Sequence, residues 1–366
     1  MSYKKVIFIA YKVKTADIKA AEYMGNTSDD KDILKRCSIM KNAINIAHKN
    51  VITAQGGNSA DTLKLFMAPE FYFRGTGGAY PIEKISKIME TMREETKNAK
   101  YAHWLFVFGT AIGYLSQGNA KEIFNIALVQ KGGLAQADGM HEWIIYKEFI
   151  SHIDFIRDKK KDWQKIDERI IAIAGMNAHA LPTMGSRDLS TLGHVNPVGV
   201  GREESASGLG GQSIFTIDGI TLGLEVCLDH AKGRLRASPV APGHNEIQIH
   251  LIPSAGMTIT PSSVVGIKGG LVFNVDGISP HTDAQVIKKI PLPKNNPVFK
   301  NSNQYYQDLA KQKKEYFDTI ATTVSNAEIR LSGLDWLTIT HKKYFTDYGT
   351  IDVFKETAIP NPVKAK

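Results

Sequence analysis

Cysteine is scarce in this chain: 366 residues carry only Cys37 and Cys227. No disulfide framework, zinc-ligand spacing or CxxC redox pair can be assembled from two such distant thiols. No apolar run reaches the length of about 20 residues that a membrane-spanning helix needs. Lys4-Lys5 is followed only by Val6–Ala10 before Lys12 interrupts, too short for the core of a secretory signal. Internal repeats and low-complexity tracts are missing too. Together these absences predict a soluble protein of a reducing compartment, the cytoplasm. The formal charge is +8, but the basic residues are scattered. Their densest cluster, Arg157–Lys161, is interrupted by Asp158 and followed by Asp162, Asp167 and Glu168. It reads as a solvated surface, and no nucleic-acid partner is expected.

What is present is ordinary globular material, 43% hydrophobic and 22% charged, with ample apolar residues for a core. Short β-branched runs alternate with helical patterns. Val6–Tyr11, Leu63–Ala68, Trp104–Thr110, Ile123–Gln130, Trp143–Phe149, Ile247–Ile252 and Leu271–Val275 read as strands. Asp29-Asp30 opens a helix to about Val51 that holds Cys37 as a core residue, and Pro81 starts another reaching about Lys97. Ile214–Asp229 reads as two apolar runs joined by Asp218-Gly219, a pair suited to a type I′ hairpin turn. Gln304–Ser325 reads as one amphipathic helix with Leu309, Phe317 and Ile320 buried, and Trp336–Ile339 as a short strand. The alternation predicts an α/β fold, layered with helices outside.

Three positions share a description. Glu70 follows a strand and Pro69, Lys147 sits in or beside a strand, and Cys227 ends one. Ligands of α/β sheets bind beyond the carboxyl ends of strands, and a helix starting after Cys227 would favour the thiolate. A thiol nucleophile, a carboxylate that moves its proton and a cation that steadies an oxyanion are the parts of acyl transfer through sulfur. Histidine is the more usual partner of a catalytic thiol, and His230 and His152 are the alternatives for that role. Glu225 shares a strand face with Cys227; pairing with a buried base and lining a pocket are both open to it.

In this order the motifs resemble those of the nitrilase, or carbon–nitrogen hydrolase, superfamily. FMAPEFYF at 66–73 is similar to its glutamate motif, WIIYKEFISH at 143–152 to its lysine motif, and GLEVCLDH at 223–230 to its nucleophile elbow. FNIALVQKGG at 124–133 and IHLIPSAGM at 249–257 resemble two further family segments. The resemblance implies a four-layer α-β-β-α sandwich over residues 1–290. It also implies an insertion at about 156–200 and leaves 291–366 as a C-terminal extension. It implies Glu70 as general base, Lys147 as oxyanion stabiliser, Cys227 as nucleophile and the Leu228 N–H as second oxyanion donor. Tyr72, Asn125, Ser254 and Met257 fall in segments that line the substrate site. Glu203, with Glu204 beside it, stands where relatives often carry a supporting carboxylate, and Asp154 is the weaker substitute. Phe149, the long gap before Cys227, and Glu225 depart from the family pattern.

The implied activity is hydrolysis of a non-peptide C–N bond in a small amide or carbamoyl compound, amidase-like because Asp229 follows the cysteine. Nitrile hydrolysis and acyl transfer use the same triad, and an inactive binding scaffold is the reading of another class. No metal or organic cofactor is implied. A homodimer or larger homo-oligomer is implied, with no membrane partner.

Overall fold

The structure is a computed structural model that describes residues 3–16, 23–55, 59–117, 120–135, 141–147, 213–237, 247–290, 302–328, 343–347 and 349–361. The insertion, His152, Asp154, Glu203, Glu204 and the strand expected at Trp336–Ile339 lie outside these residues. Among the described residues the elements run β1 (Lys5–Lys12), α1 (Asp29–Gln55), β2 (Thr62–Met67), β3 (Tyr80–Pro81), α2 (Lys84–Thr96), β4 (Trp104–Gln117), β5 (Ala120–Lys131) and β6 (Glu142–Tyr146). They continue with β7 (Ile214–Ile217), β8 (Ile220–Leu224), α3 (Leu228–Lys232), α4 (Arg234–Ala237), β9 (Ile249–Ser254), β10 (Leu271–Asp276) and β11 (Thr282–Ile287). The last are α5 (Ser302–Tyr316), β12 (Phe317–Thr319), β13 (Thr322–Glu328), β14 (Thr350–Phe354) and β15 (Thr357–Ala358).

The strands form two mixed sheets. The first runs β13-β14-β1-β2-β4-β5-β6, with β15 also on β1 and β3 on β4; the second runs β12-β11-β10-β9-β8-β7. β1, β2 and β4 are parallel, while β5 and β6 each reverse direction. β8, β9 and β10 are the parallel centre of the second sheet. Alternation along β1 explains why the sheets stack. Val6, Phe8 and Ala10 join one buried cluster with Leu222, Leu224, Leu251 and Phe273 of the second sheet. The Phe8 and Phe273 rings stack at 4.6 Å between centroids, a contact that adds about 0.5–1.5 kcal/mol to burial. Ile7, Ile9 and Tyr11 point the other way, into a cluster with Ile33, Cys37, Met40, Ile44 and Val51 of α1. The helix therefore lies on the outer face of the first sheet, with Asp29, Asp30 and Asp32 favourable in its first turn. Cys37 is buried there, and burial pushes its thiol up. On the outer face of the second sheet Ile252, Val272 and Ile287 meet Ile259 and Val264, with Tyr316 and Phe317.

The C-terminal residues depart from the expected single helix over Gln304–Ser325. The helix stops at Tyr316, Phe317–Thr319 pairs with β11, and Thr322–Glu328 pairs with β14. Thr319, Thr322, Thr323 and Val324 are β-branched and suit strands. β14 and β15 both pair antiparallel with β1, so the described C-terminal strands are built into the sheets. Among the described residues no helix is long and apolar enough to cross a membrane.

Candidate active site

The ends of β2, β6 and β8 bring three side chains to one region. Glu70 lies three residues past Met67, the end of β2, Lys147 directly follows β6, and Cys227 follows β8 by three residues. Glu70 and Lys147 are fully buried, and Cys227 is 3% exposed. Lys147 Nζ donates to Glu70 Oε1 at 2.9 Å, and Asn125 Nδ2 donates to the same oxygen at 2.8 Å. The register explains the meeting, because the Lys147 N–H donates to the Asn125 carbonyl at 2.8 Å and continues the β5–β6 ladder.

The backbone of Glu70 ties the two sheets together. Its N–H donates to the Ser254 carbonyl at 3.3 Å, and its carbonyl accepts from Thr15 Oγ1 at 2.5 Å. The next residue, Phe71, takes φ 64° and donates its N–H to Thr110 Oγ1 at 2.9 Å. Gly109 makes room for this turn. Its φ is +76°, and a Cβ there would stand 2.2 Å from the Pro69 carbonyl oxygen, which only glycine avoids.

Cys227 reaches the same strand end from the second sheet. Its N–H donates to the Pro253 carbonyl at 3.1 Å, and its Sγ lies 3.6 Å from the Ala255 carbonyl. Ala255 packs with Phe71, whose ring centroid is 5.8 Å from Lys147 Nζ. Cys227 has φ 50° and ψ −106° between β8 and α3. A β-substituted residue held there is strained by about 1–3 kcal/mol, the kind of turn that functional sites retain. The hairpin before it has Asp218 at φ 48° and Gly219 at φ 83°, the two positive values that a type I′ turn requires.

The other candidate residues divide. Asn125 is in direct contact with Glu70. Ser254 is buried, and its hydroxyl donates to Asp276 Oδ2 at 3.0 Å. Met257 packs partly buried against the inter-sheet cluster, and its N–H donates to Asp276 Oδ2 at 3.0 Å. Leu228 is the first residue of α3. Tyr72 is not brought to this edge. It is buried among Tyr11, Phe73 and Phe345 in the helix-side core, and its hydroxyl donates to the Arg36 carbonyl at 3.2 Å. Phe71 takes the place against the lysine. The residues that sequence reasoning passed over are Thr15, Gly109, Thr110 and Asp276. Gly109, a glycine inside the strand run WLFVFGT, was the readable sign of a close backbone approach.

Glu225 is buried against two histidines. Its Oε2 accepts from His230 Nδ1 at 2.9 Å and from His250 Nε2 at 3.0 Å, and its Oε1 accepts from the Leu235 N–H. Burial works to raise its pKa, but these hydrogen bonds outweigh it and hold the carboxyl at about 2. The far nitrogens of the rings are engaged as well. His230 Nε2 accepts from the Thr260 N–H at 2.9 Å, and His250 Nδ1 accepts from the Val265 N–H at 3.3 Å. Each ring is thereby fixed as one neutral tautomer, and burial lowers the pKa of His230 further than Glu225 raises it. His230 thus has no ring nitrogen left to serve the thiol. These three side chains also converge as metal ligands would. A metal on His230 Nδ1 would leave the ring proton on Nε2, facing the Thr260 N–H, so the backbone donors favour the hydrogen-bonded network instead.

No protein-family model and no curated protein matches the chain. Among solved structures it is similar to a mutant of the Nesterenkonia AN1 amidase from the nitrilase superfamily, at 12% identity and TM-score 0.37 over 86% of this chain and 98% of that one. It is also similar to Nit3 of Saccharomyces cerevisiae, a member of branch 10 of that superfamily, at 10% identity and TM-score 0.34 over 78% and 82%. A glutamine-dependent NAD(+) synthetase from Cytophaga hutchinsonii matches at 10% identity and TM-score 0.32, over 78% of this chain and 39% of that one. The solved structures that resemble this chain thus include members of the nitrilase superfamily, as distant likenesses.

Proposed function

We propose that this chain is a carbon–nitrogen hydrolase that cleaves a non-peptide C–N bond of a small amide or carbamoyl compound through a thioester on Cys227. The observation that supports the reading most is the buried Lys147–Glu70–Asn125 contact on the strand end where Cys227 also sits. A lysine and a glutamate are costly to bury even when paired, and a polar set retained beside a strained cysteine is what acyl transfer through sulfur requires.

In this reading Glu70 takes the Cys227 thiol proton as sulfur attacks the carbonyl carbon. The tetrahedral oxyanion is held by Lys147 Nζ and by the Leu228 N–H, which as a first-turn donor has no intrahelical acceptor. Glu70 returns the proton to the departing nitrogen as the C–N bond breaks, and ammonia or an amine leaves. Water, deprotonated by Glu70, then attacks the thioester and releases the acid with the free thiol. Asn125 steadies the Glu70 carboxylate that it already contacts. No step calls on a metal or organic cofactor. Of the supporting residues, Glu203 is proposed only by its place in the sequence.

The test is release of ammonia or amine from a panel of small amides and carbamoyl compounds. The wild-type chain should turn over at least one of them, and Cys227→Ala should abolish that turnover while the circular-dichroism spectrum stays native. Full activity in Cys227→Ala would exclude the thioester route.

A further inference from the structure

We propose that Glu225 is a positioning residue for Cys227: its carboxylate clamps the two sides of the strained turn that presents the thiol. The proposal rests on the functional reading above for the role of Cys227, and on separate geometry for the clamp. Glu225 is two residues before the thiol, directly after β8. His230 is three residues after it in α3, and Leu235 follows in α4. All three meet at one carboxylate, with His250 of β9 as the third donor.

The span from 225 to 230 is therefore closed by a side-chain bond across the turn. The backbone holds both sides as well: the Glu225 N–H donates to the Leu251 carbonyl of β9 at 3.0 Å, and the His230 N–H donates to the Cys227 carbonyl at 3.0 Å. Through the far ring nitrogens the clamp extends to Thr260 and Val265, in the segment after β9. That segment begins at Ala255, whose carbonyl faces Cys227 Sγ. One carboxylate thus sets both the strand that leads into the thiol and the loop that lies against it.

A merely stabilising carboxylate would have no reason to be here. Replacing a buried ionic group with apolar packing often leaves stability unchanged or raises it. What apolar packing cannot do is fix the direction of three donors on three segments. The energetic problem that the clamp addresses is local: Cys227 at φ 50° relaxes unless its surroundings over-determine it. Glu225 touches neither the Lys147–Glu70 pair nor any reacting atom, so it acts through Cys227 and not on substrate. Among the described residues the groups that face it are His230, His250 and the Leu235 N–H, with Arg236 also close enough for its charge to be felt.

The experiment compares Glu225→Gln, His230→Asn and His230→Leu with the wild-type chain. A glutamine offers its N–H₂ to donors that need an acceptor, so Glu225→Gln should lower kcat by about 100-fold and leave KM within about threefold. The alkylation rate of Cys227 by iodoacetamide should fall in parallel. Asparagine can still donate to Glu225 from the place of Nδ1, and leucine cannot; His230→Asn should keep kcat within about tenfold of wild type and His230→Leu should fall with Glu225→Gln. Nitrogen-15 NMR of the wild-type rings at neutral pH should show His230 protonated on Nδ1 and His250 on Nε2, opposite tautomers in one protein. Equal kcat and alkylation rates in His230→Asn and His230→Leu would overturn the clamp, even if Glu225→Gln does not fold. So would a charged or Nε2-protonated His230. If the wild-type chain hydrolyses no amide, the functional reading falls alone, and the ring tautomers and alkylation rates still decide whether the clamp exists.

Discussion

Glu70 and Glu225 are both fully buried carboxylates standing just past a strand, one on each sheet, yet their partners differ in kind. Glu70 meets a lysine and an amide, delivered by β6 and β5 of the first sheet. Glu225 meets two imidazoles and a backbone N–H, and each imidazole is in turn tied to a backbone N–H. In the proposed mechanism the first carboxylate is the one that passes a proton to and from the reacting groups. The second assigns every ring proton a fixed place. The difference teaches that burial of a carboxylate is not itself a sign of catalysis; what separates the two is the kind of partner each one meets.

The comparison breaks most visibly at Lys147. Lys147→Met would leave the Glu70 carboxylate buried without its cation, which costs about 3–5 kcal/mol of stability. It would also remove the proposed oxyanion donor, lowering kcat by about 10²–10³-fold. Urea unfolding and steady-state kinetics measure both. A Lys147→Met chain as stable as wild type would mean that the pair is not the buried contact described here.

Acid should act on the Glu225 side. The Glu225 pKa falls from 4.5 to about 2 on folding. The carboxylate therefore contributes stability that is fully present above pH 4.5 and lost as the pH falls towards 2. The shift corresponds to about 3 kcal/mol. His230 is shifted below its ordinary 6.5, so unfolding takes up a proton and stability also declines as the pH falls through 6.5. Urea midpoints between pH 7 and pH 3 should drop continuously in the wild-type chain, and the lower part of that slope should flatten in Glu225→Gln. Identical slopes in the two proteins would remove Glu225 from the account of acid stability.

A smaller effect sharpens how Glu70 is placed. Gly109→Ala puts a Cβ against the Pro69 carbonyl, one residue before Glu70, and forces a positive φ on alanine. The expected cost is about 1–3 kcal/mol, read as a lower thermal midpoint, with kcat falling further than stability alone explains. An unchanged kcat would show that the Pro69–Phe71 turn tolerates a shift.

Much of this arrangement could be seen in the sequence because it is local. A β-branched run ending at Pro69-Glu70, an apolar run ending at Tyr146-Lys147 and a hairpin followed by Cys227 each mark a strand and the residue just past it. Asp218-Gly219 carries its turn type in two letters. Tyr72 was out of reach for a local reason: Phe71 at positive φ interrupts the strand alternation, so the ring beside the lysine is Phe71 and Tyr72 turns into the helix-side core. Long-range partners were hidden as well. Glu225 called for a buried base, but nothing local connects it to His250, which reaches it by β8–β9 pairing. Periodicity carried the α5 helix on through Phe317 and Ile320, where pairing with β11 and β14 decided for strands.

The central claim is that Cys227 carries the acyl group, and intact-protein mass spectrometry during turnover of an active amide tests it most directly. The account predicts a transient mass increase equal to the acyl group, mapped to Cys227, which accumulates on rapid acid quench and is missing in Cys227→Ala. Hydrolysis that proceeds with no adduct on Cys227 in the wild-type chain, and unabated in Cys227→Ala, would contradict it.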